Sequence, residues 1–77
     1  MPSAFVLVNV QSGSEDNVLK QLRSISGVSE AYLSFGVYDL IVKVIANSMD
    51  ELRDIISHKI RSLEKVLSTL TLMLLDE

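Results

Sequence analysis

The chain carries one short pattern twice, each time where apolar residues at helical spacing give way to a run of β-forming residues. The two copies, RSISGV at residues 23–28 and RSLEKV at residues 61–66, share an Arg-Ser pair, an apolar third residue and a final Val. Each half therefore predicts a strand, a helix and a strand. Such crossovers are right-handed almost without exception, so two joined units predict a four-stranded antiparallel sheet with both helices on one face.

In the first half, residues 4–10 (AFVLVNV) are β-branched or aromatic and nearly apolar on both alternating sides, which predicts a central strand. Ser14 is placed to cap a helix, and apolar residues then recur at helical spacing through residues 18–25. Gly27 is placed to end that helix. A second, looser strand is predicted over residues 28–35.

In the second half, residues 38–46 form another strong β run, which should pair with the preceding strand as an antiparallel hairpin. Ser48 and Glu51 have the spacing of a capping box, which predicts a second helix whose apolar stripe extends to Leu63. Residues 66–75 then alternate as a fourth strand. The predicted fold class is α+β, a ferredoxin-like βαββαβ domain.

The fourth strand has two chemically different faces. One face carries leucines at positions 70, 72 and 74, and the other carries Thr69 and Thr71. With the leucines facing the helices, the threonines would lie on the helix-free face of the sheet. Strands one, three and four are apolar on both sides, where a solvent-facing side would be polar. We therefore expect a dimer in which a second copy covers the helix-free sheet face.

Size and composition favour the same association. A chain of 77 residues forms one domain that removes only roughly 60% of its unfolded surface from water, so it needs further stabilisation. It has no Cys for disulfides, and a single His makes a structural metal an unlikely supplement. With 48% hydrophobic residues, the surplus apolar side chains are expected in an interface between copies.

Charge and hydropathy exclude several functional classes. A net charge of -3 disfavours direct binding of nucleic acid, which normally requires a basic face. No apolar run approaches the roughly 20 residues that span a bilayer, and the first residues lack the layout of a secretory signal. A cytoplasmic location is therefore expected, without contact with a membrane.

The residues do not predict an enzyme. His58 falls among surface charges of the second helix, and the sequence places no nucleophile beside it. The basic residues near the end of that helix, Arg61 among them, are interpreted as favourable charges at the negative pole of its dipole. Acidic residues occur as short pairs at helix starts, so neither a metal site nor a cofactor is predicted.

The hairpin segment Gly36, Val37, Tyr38 and Asp39 has two open interpretations. A tight turn requires Gly36 for a positive φ, and Asp39 could merely satisfy backbone amides. Alternatively, exposed turn amides could bind the carboxylate of a small zwitterion while Asp39 binds its ammonium group. The hydroxyls of Thr69 and Thr71 could assist, although threonine is also an ordinary strand residue.

The element order, the hairpin AYLSFGVYDL at residues 31–40 and the strand VLSTLT at residues 66–71 resemble the effector domain of the Lrp/AsnC feast/famine regulators, the RAM domain. The resemblance covers nearly the whole chain. It implies that dimers form through the sheets, that they assemble into octamer-like or decamer-like rings, and that amino acids bind between dimers. By the resemblance, the predicted ligand-binding residues match the family's Gly-x-Tyr-Asp turn and Ser/Thr-rich last strand: Gly36, Val37, Tyr38, Asp39, Ser68, Thr69 and Thr71.

The chain departs from this family in beginning at the first strand, where family regulators carry a helix-turn-helix domain. Residues 1–77 are therefore expected to form a single RAM domain that does not read DNA itself and acts with full-length Lrp/AsnC regulators. The hypothesis is an oligomeric module that senses a small amino acid. Two alternatives remain: a purely structural ring-forming adaptor, and a small ferredoxin-like dimeric enzyme, for which His58 is poorly placed.

Overall fold

The structure, a computed structural model, describes residues 1–74 and confirms the predicted order of elements. The second helix begins as an α-helix and continues without interruption as a π-helical segment. The elements are β1 (Ser3–Val10), α1 (Glu15–Arg23), β2 (Val28–Leu33), β3 (Leu40–Ile45), α2 (Met49–Asp54), the π-helical segment Ile55–Ile60 and β4 (Val66–Leu74).

The four strands form one antiparallel sheet in the order β2-β3-β1-β4. This order confirms that the first strand is central and that β2 and β3 form a hairpin. The Val that ends each copy of the repeated pattern, Val28 or Val66, is the first residue of an edge strand. The internal repeat therefore corresponds to two equivalent helix-to-strand connections.

The core lies between the sheet and the helices. Alternate residues of β1 and β3 are buried there, and the intervening residues are only half-buried. Both helices contribute to this single cluster, which confirms the ferredoxin-like architecture with two helices on one face. Its largest fully buried side chains are Leu22, Leu40, Leu52, Ile55, Ile60, Val6, Val8, Val18, Val42 and Val44.

The first helix is shorter than predicted. It ends at Arg23, and a turn that includes Gly27 (φ +101°) separates it from β2. Ile25 therefore lies beyond the helix but still packs against the core. The predicted cap is wrong in one respect, because the Ser14 side chain makes no capping hydrogen bond.

The predicted start of the second helix is confirmed, because the Ser48 hydroxyl accepts a hydrogen bond from the Glu51 amide at 3.1 Å. The π-helical continuation was not predicted. There the Arg61 amide donates to the Ile56 carbonyl at 3.1 Å, a wider turn than in an α-helix. No helix within residues 1–74 is long and apolar enough to cross a membrane.

The predicted orientation of the last strand is wrong. Thr69 pairs with Val8 and Thr71 with Val6, and residues opposite each other in antiparallel strands point to the same face. Val6 and Val8 point into the core, so the threonines lie on the helix side and the intervening leucines on the helix-free face. The register of β4 with β1 decides which of its faces points to the helices, and the hydrophobicity of the two faces does not. The last residue of the predicted strand, Leu75, lies outside the described residues.

Candidate functional site

The predicted ligand-binding turn is a loop that connects β2 to β3. The strand β2 ends earlier than predicted and β3 begins later, so residues 34–39 lie outside the ladder. A hydrogen bond from the Ser34 amide to the Asp39 carbonyl at 2.8 Å closes this loop. Gly36 has a φ of +134°, which confirms the predicted need for glycine. The flanking Phe35 and Val37 are 105% and 83% exposed. The loop therefore exposes its backbone and two apolar side chains on the surface of the protomer.

Asp39 connects this loop to the central strand through two hydrogen bonds. Its amide donates to the Val8 carbonyl at 3.0 Å, and its Oδ2 accepts from the Val10 amide at 2.9 Å. The structure thus shows the backbone-binding role that was one of the two interpretations of Asp39. Its other carboxylate oxygen, Oδ1, takes no hydrogen bond from any residue in the range 1–74. One oxygen is held by β1, and the other is free to accept a further donor.

A shallow depression beside the hairpin brings a second carboxylate toward Asp39. It is lined by Glu15, Leu33, Ser34, Phe35 and Asp39. Glu15 begins α1, and its Oε1 accepts from a backbone amide at 3.0 Å. Sequence reasoning missed Glu15 as a site residue because an acid in the first turn of a helix is already explained by the helix dipole.

Ser68 and the hairpin loop lie at the same end of the sheet, on opposite sides of β1. Ser68 pairs with Asn9, whose Nδ2 donates to the Ser68 hydroxyl at 3.4 Å, while Asp39 bonds to the residues that flank Asn9. Strands are spaced by about 4.8 Å, so loop and β4 are separated by about two strand spacings. One protomer therefore brings these predicted residues to one end of the sheet without joining them in one cavity.

Thr69 and Thr71 belong to a different cavity. They face a groove of about 390 Å³ between β4 and the second helix. Sequence reasoning assigned none of the helical residues in it, and their spacing of four positions along the helix was the available signal. The groove is lined by Arg53, Ile56, Ser57, Arg61, Thr69, Thr71 and Met73.

The helix-free face of the sheet is mostly apolar over β1, β3 and β4, with Lys43 as a charged residue in the middle of β3. Phe5 of β1 lies on this face, and the Lys43 Nζ is 5.8 Å from its ring centroid. The leucines of β4 on this face are 37% to 47% exposed. Together with the half-buried residues beside them, they form the apolar part of this face around Lys43: Phe5, Leu7, Ile41, Ile45, Leu70, Leu72 and Leu74.

At the β2 edge of this face, the Tyr32 hydroxyl donates to Glu30 Oε1 at 2.7 Å. This hydrogen bond, followed by the negative charge of Glu30, raises the pKa of Tyr32 above its ordinary value. His58, on the exposed side of the second helix, has its Nδ1 2.9 Å from Asp54 Oδ1. Among residues 1–74, no three metal-ligating side chains cluster.

Comparison with known proteins identifies the family. The Lrp/AsnC ligand binding domain matches residues 3–77. The chain belongs to that family. The regulatory protein AsnC of Escherichia coli K12 is 36% identical over 60 residues, which make up 78% of this chain and 40% of AsnC. The chain spans about half the length, or less, of the curated relatives it matches.

Solved structures agree with the Lrp/AsnC assignment. FFRP-DM1 superimposes with a TM-score of 0.94 at 36% identity, covering 97% of this chain and 100% of that one. A hypothetical protein from Pyrococcus horikoshii gives a TM-score of 0.93 at 36% identity, covering 100% of this chain and 93% of the other. The fold predicted from the sequence is therefore the fold of Lrp/AsnC-type proteins.

Proposed function

We propose that this Lrp/AsnC chain is an amino-acid-binding, oligomer-forming regulatory module. It senses a small amino acid at interfaces between dimers and modulates Lrp/AsnC-type transcription regulators in the cytoplasm. The family match over residues 3–77 supports a ligand-binding role. The observation that carries the proposal is the exposed loop at the end of the sheet, with a positive-φ glycine and a carboxylate fixed by β1.

The loop supplies the chemistry that a zwitterion requires. In the proposal, backbone amides of Gly36, Val37 and Tyr38 hold the α-carboxylate, and Asp39 holds the ammonium group. The Val10 amide already fixes Asp39 Oδ2, so the carboxylate needs little reordering when Oδ1 accepts the ligand. This pre-organisation favours binding.

A complete pocket requires more than one protomer. The loop and β4 lie on opposite sides of β1, so Ser68, Thr69 and Thr71 assist only when they come from a neighbouring protomer. This arrangement couples binding to assembly, because a ligand that binds one oligomer better shifts the population toward it. No reaction is proposed, and no cofactor is required.

Assembly in this proposal begins at the helix-free face. Its apolar residues are as hydrophobic as the core residues behind them, and a second copy of the same face covers them. Dimers then associate through the hairpin loops, where Phe35 and Val37 are exposed, into octamer or decamer rings. Residues 1–77 act as one RAM domain whose further partners are full-length Lrp/AsnC regulators, and the domain itself does not contact nucleic acid.

Thermal unfolding with each standard amino acid at millimolar concentration tests this function. A ligand that binds only the folded protein raises the free energy of unfolding, by about 2.7 kcal/mol at a hundredfold excess over Kd. The midpoint temperature of unfolding rises accordingly. We expect one or a few amino acids to do so, and Asp39→Asn to abolish the shift while keeping an oxygen for the Val10 amide. Asp50→Asn, which removes an exposed carboxylate at the start of α2, is the matched control.

The outcomes separate the candidate functions. A selective shift that Asp39→Asn removes and Asp50→Asn retains supports the sensor. The absence of a shift with every amino acid, in a preparation shown to be an intact oligomer, would contradict it and favour a structural adaptor. In that case the loop would be only a turn.

A further inference from the structure

We propose that the groove between β4 and the second helix is an anion site for the phosphoryl group of a small metabolite. This site goes beyond the amino-acid site at the hairpin. It depends on different charged groups, and it shares with that site only Thr69 and Thr71. Its arginines, Arg53 and Arg61, approach from the helix, and its hydroxyls come from Ser57, Thr69 and Thr71.

The irregular second helix aligns the donors. Arg53, Ser57 and Arg61 follow one another at intervals of four residues, from α2 into the π-helical segment and its end. In an α-helix, four residues are slightly more than one full turn, so residues at this spacing shift gradually around the helix axis. The π-helical turn contains more residues, so the same spacing shifts them back in the opposite direction. The three side chains therefore remain along the side that faces β4. π-Helical turns of this kind occur often at functional sites.

Within residues 1–74, the donors of the groove are not used in other contacts. Neither Arg53 nor Arg61 forms an ion pair with another residue of the described range, 1–74. Arg23 differs, because its guanidinium donates twice to the Ala31 carbonyl, at 3.2 and 2.8 Å. The acidic residues of α2 do not line the groove, and none of its lining residues in the described range 1–74 is a carboxylate that would oppose an anion.

The three hydroxyls are equally available. Within residues 1–74, those of Ser57, Thr69 and Thr71 take part in no side-chain hydrogen bond. In Ser62, by contrast, the hydroxyl donates to the carbonyl of His58. As far as residues 1–74 show, the groove thus combines two guanidinium groups without an ion pair and three unused hydroxyl donors, in a chain whose net charge is -3.

These donors fit a phosphoryl group better than a single carboxylate. A phosphoryl dianion matches two positive charges, and its three oxygens accept from guanidinium forks and hydroxyls together. A lone carboxylate would leave one arginine without a counter-charge. Ile56 and Met73 add apolar surface, on which the carbon skeleton of a metabolite can rest.

A titration with inorganic phosphate, followed by ³¹P NMR at low ionic strength, tests the site. We expect saturable binding with a Kd of about 1 mM, because inorganic phosphate lacks the carbon skeleton. Arg53→Gln and Arg61→Gln should each weaken binding about tenfold. Lys59→Gln is the matched control, since it removes one exposed positive charge from the same helical segment outside the groove.

Three results would overturn the proposal: no saturable binding by the parent protein, unchanged binding by the Arg53→Gln/Arg61→Gln double variant, or an equal loss in Lys59→Gln. Both arginines are exposed, so circular dichroism should show an unchanged fold in every variant. Asp39→Asn separates the two proposals, because it should abolish the amino-acid response and leave phosphate binding intact. If no amino acid binds but phosphate does, the sensor function fails and the anion site stands.

Discussion

The two faces of the sheet are made from similar residues but have opposite environments. On the helix side, Val6, Val8 and Val42 are fully buried under the helices. On the other side, Leu70 and Leu72 are 43% and 47% exposed, and no helix of the described residues, 1–74, covers them. Both faces carry the apolar side chains of a core, yet only one of them is covered.

This difference explains the high hydrophobic content of so short a chain. A solvent-facing side of an antiparallel sheet is normally polar, and alternation along the strands would then be clear. Here β1 and β3 are mostly apolar on both sides, apart from polar residues such as Asn9 and Lys43 on the helix-free side, as expected if that side packs against a second copy. The helix side stabilises the protomer, and in the proposed dimer the helix-free face stabilises the assembly.

The largest expected effect is a loss of free energy of unfolding, and it is found by comparing one leucine from each face. Leu40→Ala removes a fully buried side chain from β3 and should lower the free energy of unfolding by roughly 2–5 kcal/mol. Leu70→Ala should cost less, and its cost should depend on protein concentration, since its burial requires a second copy. Urea unfolding at several protein concentrations measures both. Equal, concentration-independent losses would contradict the distinction between the faces.

The next effect concerns association alone. Leu72 lies opposite the half-buried Phe5 on the helix-free face, so Leu72→Glu places a charge in the proposed interface. We expect light scattering to give the mass of a single chain, in place of the dimer or larger assembly of the parent protein, with an unchanged circular dichroism spectrum. Met49→Glu, which adds the same charge to an exposed apolar residue of α2, should leave the mass unaltered.

A smaller effect is expected at the end of the sheet, where Asp39 ties the loop to β1. Asp39→Ala leaves the Val10 amide without its acceptor and should cost about 1 kcal/mol of stability. Asp39→Asn retains an acceptor oxygen and should cost less. Urea unfolding distinguishes the two variants, and equal stability of both would show that the hydrogen bond contributes nothing measurable.

The smallest effect is the titration of Tyr32 at the edge of the helix-free face. The hydrogen bond to Glu30 raises the pKa of Tyr32, so its contribution to stability is present below the ordinary tyrosine pKa and is lost as pH rises through the folded-state value. Glu30→Gln removes the negative charge and should lower the pKa of Tyr32. Phenolate absorbance measured against pH follows this change, and an unchanged titration would rule out Glu30 as the cause.

Much of the fold could be predicted from the sequence because its signals are local. The alternation in β1, the capping box at Ser48 and the repeated pattern before Val28 and Val66 each act within a few residues. These local signals were enough to predict the order of elements, the central strand and the hairpin.

The orientation of β4 could not be predicted because it depends on pairing with a distant strand. Alternation separates Thr69 and Thr71 from the leucines but does not say which set faces the helices. The register with Val6 and Val8 decides it. A bulge near Val10 further shifts the pairing, and no local pattern marks it.

The candidate site was predicted only in part for the same reason. Gly36 was predicted from the turn chemistry it requires, and the structure gives it a positive φ. The bond from the Val10 amide to Asp39 joins positions 29 residues apart, and the arginines of the groove meet Thr69 only through tertiary packing. Such arrangements leave no signal in the spacing of residues along one segment.

The mass of the unmodified protein in solution tests the central claim, that a second copy covers the helix-free face. Light scattering at micromolar concentration measures it directly. The account predicts twice the mass of one chain or a larger whole-number multiple of that dimer. The mass of a single chain, with Leu70 and Leu72 left exposed to water, would contradict it.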